Sequence, residues 1–88
     1  MGKVSFDFNQ IPNLGAFYRD FGRQFSLELT EETNLDDLWL TVTQQLPLPV
    51  EIEFLHLNAS KKRRFGALIL LFEEAEEELD GKLRFNLH

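Results

Sequence analysis

The side chains best equipped for chemistry are carboxylates, and one compact set lies in Asn34 to Thr43, which reads NLDDLWLTVT. Asp36 and Asp37 would act as an acid and base pair only if both faced one bond. Neighbours on a helix point about 100° apart, so they are poorly placed for that work. His56 and His88 have no partner at ligand spacing, which argues against a metal site. His56 reads instead as structural, and His88 is terminal. Cysteine is absent, so there is no thiolate nucleophile, thiolate metal site or disulfide framework, as suits a reducing compartment. The chain also lacks a glycine-rich phosphate loop, a GxSxG elbow and an HExxH helix. The expectation is a protein that is not an enzyme and that uses no cofactor and no metal.

Binding chemistry remains. Leu35, Leu38, Trp39, Val42 and Leu46 follow the spacing of a core-facing helical stripe, while Asp36, Leu40 and Thr43 recur on a different side. Asn34 suits the N-cap, and Asp36 and Asp37 set negative charge against the positive end of the helix dipole. Capping and dipole complementation alone would account for the two aspartates. They do not account for Leu40, an apolar residue on a stripe that otherwise faces water, and the sharper alternative is a helix that presents this stripe to a partner.

A second acidic group, Glu73, Glu74, Glu76, Glu77, Glu78 and Asp80, crowds the end of the last helix, where the dipole favours cations. The pairs Glu73/Glu77 and Glu74/Glu78 repel, each conflict costing about 0.2 to 1 kcal/mol. A solvated face explains such a run, and so does an anionic patch kept for a cationic partner. The basic cluster KKRR at 61 to 64, in a chain of net charge −6 and pI near 4.8, is expected to balance nearby carboxylates. That charge disfavours nucleic acid, whose phosphates it would repel, and favours a cationic protein.

The elements that must position these groups follow from periodicity. Val4, Phe6 and Phe8 alternate as a half-buried strand, then Asn13 caps a helix whose apolar face is Leu14, Phe17, Tyr18, Phe21 and Phe25, weakened by Gly15 and Gly22. Residues 26 to 33 read as an exposed loop leading to the Asn34 cap. Pro47 and Pro49 bar continuation of the central helix, and Val50, Ile52 and Phe54 alternate with Glu51 and Glu53 as a second strand. Residues 56 to 64 stay open between a short helix and a loop. From Phe65 or Gly66 a helix runs with Leu68, Leu71, Phe72, Ala75 and Leu79 inward, ending at Gly81, before Leu83, Phe85 and Leu87 make a third strand. Strands separated by helices predict an α/β fold with right-handed crossovers between parallel strands.

Eighty-eight residues make one domain, and a chain this small buries only about 60% of its unfolded surface. Hydrophobic content of 43%, with nine Phe, supplies a core despite the charge. The opening MGKVSFDFNQ lacks the apolar run of a secretory signal, and the longest apolar run, Ala67 to Phe72, is too short to span a bilayer. A soluble cytoplasmic monomer is expected, with no membrane partner.

The order strand, helix, loop, Asn34-Leu35-Asp36-x-Leu38-Trp39, strand, and a final helix with Glu74 and Glu78 resembles the barstar family of ribonuclease inhibitors nearly end to end. NLDxLW is the most specific match, followed by Pro49-Val50-Glu51-Ile52-Glu53-Phe54, with Phe72-Glu73-Glu74-Ala75 as a second anchor. The chain looks more like the bacterial barstar-like proteins than like the barnase antidote itself. The resemblance implies a three-stranded parallel sheet with about four helices packed against it. It also implies that the helix at 34 to 45 and its preceding loop plug the active site of a cationic ribonuclease, with carboxylates standing in for RNA phosphates. The implied partner-binding surface is Thr30, Asn34, Asp36, Trp39, Leu40, Thr43, Gln44 and Glu74, with Glu78 at its edge. Asp36, Trp39, Thr43 and Glu74 keep the family's residue. Leu40 stands where barstar has the Asp that enters the ribonuclease's phosphate pocket, and Thr30, Glu31 and Glu32 replace loop tyrosine and glycine. The alternative is an interaction protein of the same fold whose partner is not a nuclease, bound through the apolar and acidic surface around Leu40.

Overall fold

In the computed structural model, which describes residues 2–88, the three alternating segments become strands β1 (Gly2–Asp7), β2 (Val50–Leu55) and β3 (Leu83–Leu87). They form one parallel sheet in the order β1-β2-β3, with Val4 opposite Ile52 and Ile52 opposite Phe85. The helices are α1 (Leu14–Phe25), α2 (Leu35–Gln44), α3 (Ala59–Arg64) and α4 (Gly66–Glu78). This is the α/β architecture that alternation implies, with the three parallel strands and four helices that the resemblance implies.

Phe6, Ile52, Phe54 and Phe85 point from one side of the sheet into a single cluster with Phe17 and Phe21 of α1, Leu38 and Val42 of α2, and Leu68, Phe72 and Ala75 of α4. α1, α2 and α3 each start where an asparagine side chain satisfies an orphan backbone donor, whereas α4 follows directly from α3 at Phe65 without a side-chain cap. Asn13 Oδ1 accepts from the Ala16 N–H at 2.8 Å, and Asn58 Oδ1 accepts from the Lys61 N–H at 2.8 Å. At the end of α4 the left-handed Asp80 and Gly81 turn the chain, and the Gly81 N–H returns to the Glu76 carbonyl.

Several expectations need correction. Phe8 lies just beyond β1; its N–H still reaches the Leu55 carbonyl at 3.0 Å, but a turn closed by the Gln10 N–H on the Asp7 carbonyl ends the alternation. The open stretch at 56 to 64 contains a short helix with no buried residue. It is tied down by two of the four basic residues, Lys61 and Arg64, which donate to backbone carbonyls, while the charge of Lys61 also bears on the Asp7 carboxylate. Lys61 Nζ donates to the Phe8 carbonyl at 3.0 Å, Arg64 to the Pro12 carbonyl at 2.6 Å, and the Arg64 guanidinium also lies over the Phe65 ring.

The loop at 26 to 33 is not simply exposed, because Leu27 and Leu29 are half buried against the core. Gly22 makes that possible. A Cβ there would stand 2.8 Å from the Leu27 carbonyl oxygen and 3.3 Å from Leu29 Cβ. Gly22→Ala is therefore expected to destabilise: helix propensity gains about 1 kcal/mol, while forcing the loop backbone outward costs ~1–3 kcal/mol. A urea midpoint that rose in the variant would contradict this close approach.

The opposite face of the sheet is polar. Alternation sets Glu53 on this face, away from the core, yet it is only 9% exposed, because Ser5 donates to it and Lys3 Nζ and His88 Nε2 each lie 3.3 Å away. Its carboxyl is held below the ordinary value first by the Ser5 hydrogen bond, against the opposing effect of burial. Asp7 is lowered likewise by the exposed His56, at 2.7 Å, and by the Asn9 N–H. Both carboxylates bind protons more readily in the unfolded chain. The stability they supply is complete above the ordinary carboxylate pKa of about 4 and is lost as pH falls through their lowered folded values. Thermal melts should show Tm falling between pH 5 and pH 3, in a range about that pKa, and Glu53→Gln should flatten that acid limb. An acid limb identical in the variant would remove Glu53 from the account.

Candidate functional site

The Asn34 cap fixes where α2 starts and hence which side chains leave the core. Asn34 Oδ1 accepts from the Asp37 N–H at 2.8 Å, and the helix runs from Leu35 to a C-cap at Gln45, as the spacing predicts. Leu38 and Val42 are fully buried, and Thr41 is buried too, its hydroxyl donating to the Asp37 carbonyl at 3.0 Å. Leu35 and Trp39 are only partly buried. They stand at the border between core and surface, on the side turned to α4.

That border shapes a groove of about 220 Å³ lined by Leu35, Asp36, Trp39, Ala67, Leu70, Leu71 and Glu74. Asp36, Trp39 and Glu74, from two helices far apart in sequence, thus meet at one surface. Both carboxylates are exposed, and among the described residues neither has a cation within ion-pair distance. Asp36 also borders a second hollow with Leu14, Gly15, Tyr18, Glu31, Thr33, Asn34 and Leu35. Burial, and then the charge of Asp37, push the Tyr18 hydroxyl up from its ordinary value, so it stays protonated beside these acids.

The other predicted residues have different placements. Leu40 is 50% exposed on the outward stripe of α2. Thr43 donates its hydroxyl to the Trp39 carbonyl at 2.8 Å, leaving its oxygen free to accept, and Gln44 is exposed at the last turn. Thr30 is exposed in the loop, where its N–H donates to Thr33 Oγ1 at 3.1 Å and its own hydroxyl accepts from the Glu32 N–H at 3.2 Å. The adjacent Glu31 pairs with Arg19 of α1 at 3.0 Å and holds that loop beside the helix. Glu78 is exposed at the end of α4, one turn beyond Glu74 and outside the groove. Another member of the acidic run, Glu76, faces elsewhere and accepts the Phe85 N–H at 3.1 Å.

Ala67, Leu70 and Leu71 are groove residues that reading the sequence missed. The signal for Leu70 was present: it lies about 160–200° around the helix from Leu68 and Phe72, on the side away from the core. The run ALILLF hides it, since every residue there is apolar.

The chemistry this arrangement offers is recognition: two unpaired carboxylates about an aromatic edge, with an exposed leucine on the same helix. Among the described residues, no three or more potential ligand side chains are gathered as a metal ion would require. The one cluster among the described residues that unites a serine, a carboxylate and a histidine has Glu53 in the middle, so the Ser5 hydroxyl faces an acceptor but no imidazole base. Compared with known protein families, the chain matches the family described as barstar (barnase inhibitor) over residues 1–87.

Proposed function

The chain belongs to the barstar family, and on that premise we propose that it is a binding module that occludes the active site of a cationic ribonuclease and carries out no catalysis itself. The observation that supports this reading is the meeting of Asp36, Trp39 and Glu74 at one groove, with both carboxylates exposed and unpaired. In a ribonuclease cleft such carboxylates replace RNA phosphates, and the chain's net charge of −6 draws the cationic enzyme in over a longer range. α2 and its loop supply the plug, while α4 contributes Glu74 from the side.

Calorimetric titration of a catalytically disabled barnase-type ribonuclease with this protein, at low and at physiological salt, tests the proposal. Salt-sensitive one-to-one binding is expected, since exposed charges are screened beyond about 8–10 Å at these ionic strengths. If the native protein and its Leu40→Asp variant both fail to bind at low salt, the ribonuclease reading falls.

A second reading is favoured by Leu40, half exposed where a phosphate-mimicking carboxylate would serve a ribonuclease best. On that reading the same surface binds a protein that is not a nuclease. Affinity capture from the source cell, followed by a ribonuclease assay of the purified partner, separates the two; recovery of a ribonuclease alone rejects the second.

A further inference from the structure

The groove between α2 and α4 is acidic only at Asp36 and Glu74; Leu35, Trp39, Ala67, Leu70 and Leu71 make the rest of it apolar. Leu70 is 54% exposed, the most exposed large hydrophobic side chain among the described residues. The core of α4 is complete without it, since Leu68, Ile69, Leu71, Phe72 and Ala75 are all buried. Two carboxylates with no cation of their own therefore border an apolar slot, on a face whose neighbours Glu73, Glu77 and Glu78 are acidic and exposed.

We propose that this slot receives one leucine-like side chain of the partner protein, carried between arginine or lysine residues that meet Asp36 and Glu74. The inference rests on the reading of this surface as the binding face, and it names what that face selects. Charge complementarity decides the occupant. A purely apolar segment would leave two carboxylates desolvated and unpaired, and an anionic one would be repelled. A cationic segment without an apolar side chain would leave Trp39 and Leu70 in water. An apolar anchor ringed by charge satisfies every wall of the groove, in the manner of an interface hot spot with a polar rim.

The test uses the isotope-labelled protein and two synthetic pentapeptides, acetyl-Gly-Arg-Leu-Arg-Gly-amide and the same peptide with glycine replacing leucine. The leucine peptide should shift the Trp39 indole N–H and the amides of Ala67, Leu70 and Glu74, and should bind about tenfold more tightly than the glycine peptide, as burial of a leucine side chain allows. Leu70→Gln, at an exposed position that leaves the fold intact, should abolish the difference between the peptides. Equal binding of the two peptides, or shifts confined to Glu73, Glu77 and Glu78, would overturn the inference. The ribonuclease titration keeps this failure apart from failure of the parent reading. A ribonuclease bound equally by the native protein and by Leu70→Gln would leave the slot empty yet the face engaged, whereas no ribonuclease binding by the native protein or Leu40→Asp overturns the parent reading itself.

Discussion

Leu40→Asp is expected to tighten binding to a barnase-type ribonuclease by about 30-fold or more, equivalent to ~2 kcal/mol, the low end of what an unpaired interfacial charge costs. That scale is set in part by this family's own complex. The direction follows from desolvation: a phosphate pocket lined by arginines loses its water when the inhibitor docks, and a leucine returns no acceptor to those charges. A carboxylate at the same place does. The substitution costs the fold little, because Leu40 is half exposed and lies outside the buried set of Leu38, Thr41 and Val42. Against the gain stands repulsion from Asp36, one turn away, which is worth about 0.2–0.5 kcal/mol and does not reverse the sign. The gain should shrink as salt rises. Calorimetry with both proteins, beside urea midpoints that show the variant folded, checks it; unchanged affinity at low salt would mean that the outward stripe of α2 does not enter the phosphate pocket.

Alternation in Val4/Phe6, Val50/Ile52/Phe54 and Leu83/Phe85 was legible because strand geometry is local, and the Asn13 and Asn34 caps were legible because a cap acts over three residues. The helix α3 was not. The Asn58 cap was a local signal like the other two, but what ties Ala59–Arg64 to the rest of the fold is the reach of Lys61 and Arg64 to carbonyls of Phe8 and Pro12, a pairing across more than fifty residues that no local pattern announces. Gly22 was legible only in part for the same reason, since its cost within the helix is local and its benefit, room for the Leu27 carbonyl, lies in the loop. The candidate site divides likewise. Helical spacing turned Asp36 and Leu40 outward, but spacing alone could not bring Glu74 beside Asp36; that convergence depends on how α2 packs on α4, and only the family resemblance anticipated it.

Phe54→Ala carries the largest expected loss of stability. Phe54 sits in the central strand with no exposure, and its ring lies 4.8 Å from those of Phe8 and Phe85, 5.3 Å from Phe72, 5.5 Å from Phe17 and 6.0 Å from Phe6. It therefore joins β1, β3, α1 and α4 at one point. Truncation leaves a cavity that five neighbouring rings, each anchored on a different backbone position, cannot close, and such a loss costs about 3–5 kcal/mol. A domain of this size has roughly 4–13 kcal/mol in all, so the variant should be largely unfolded at modest urea concentrations. Phe25→Ala is the control. Phe25 is half buried and its ring neighbours Phe21 alone, so its removal should cost clearly less. The consequence reaches the candidate site, because Phe72, which packs on Phe54, lies on α4 with Glu74. Urea unfolding of both variants decides it: if Phe54→Ala lowered the midpoint no more than Phe25→Ala, Phe54 would not be the point at which the sheet and the helices are joined.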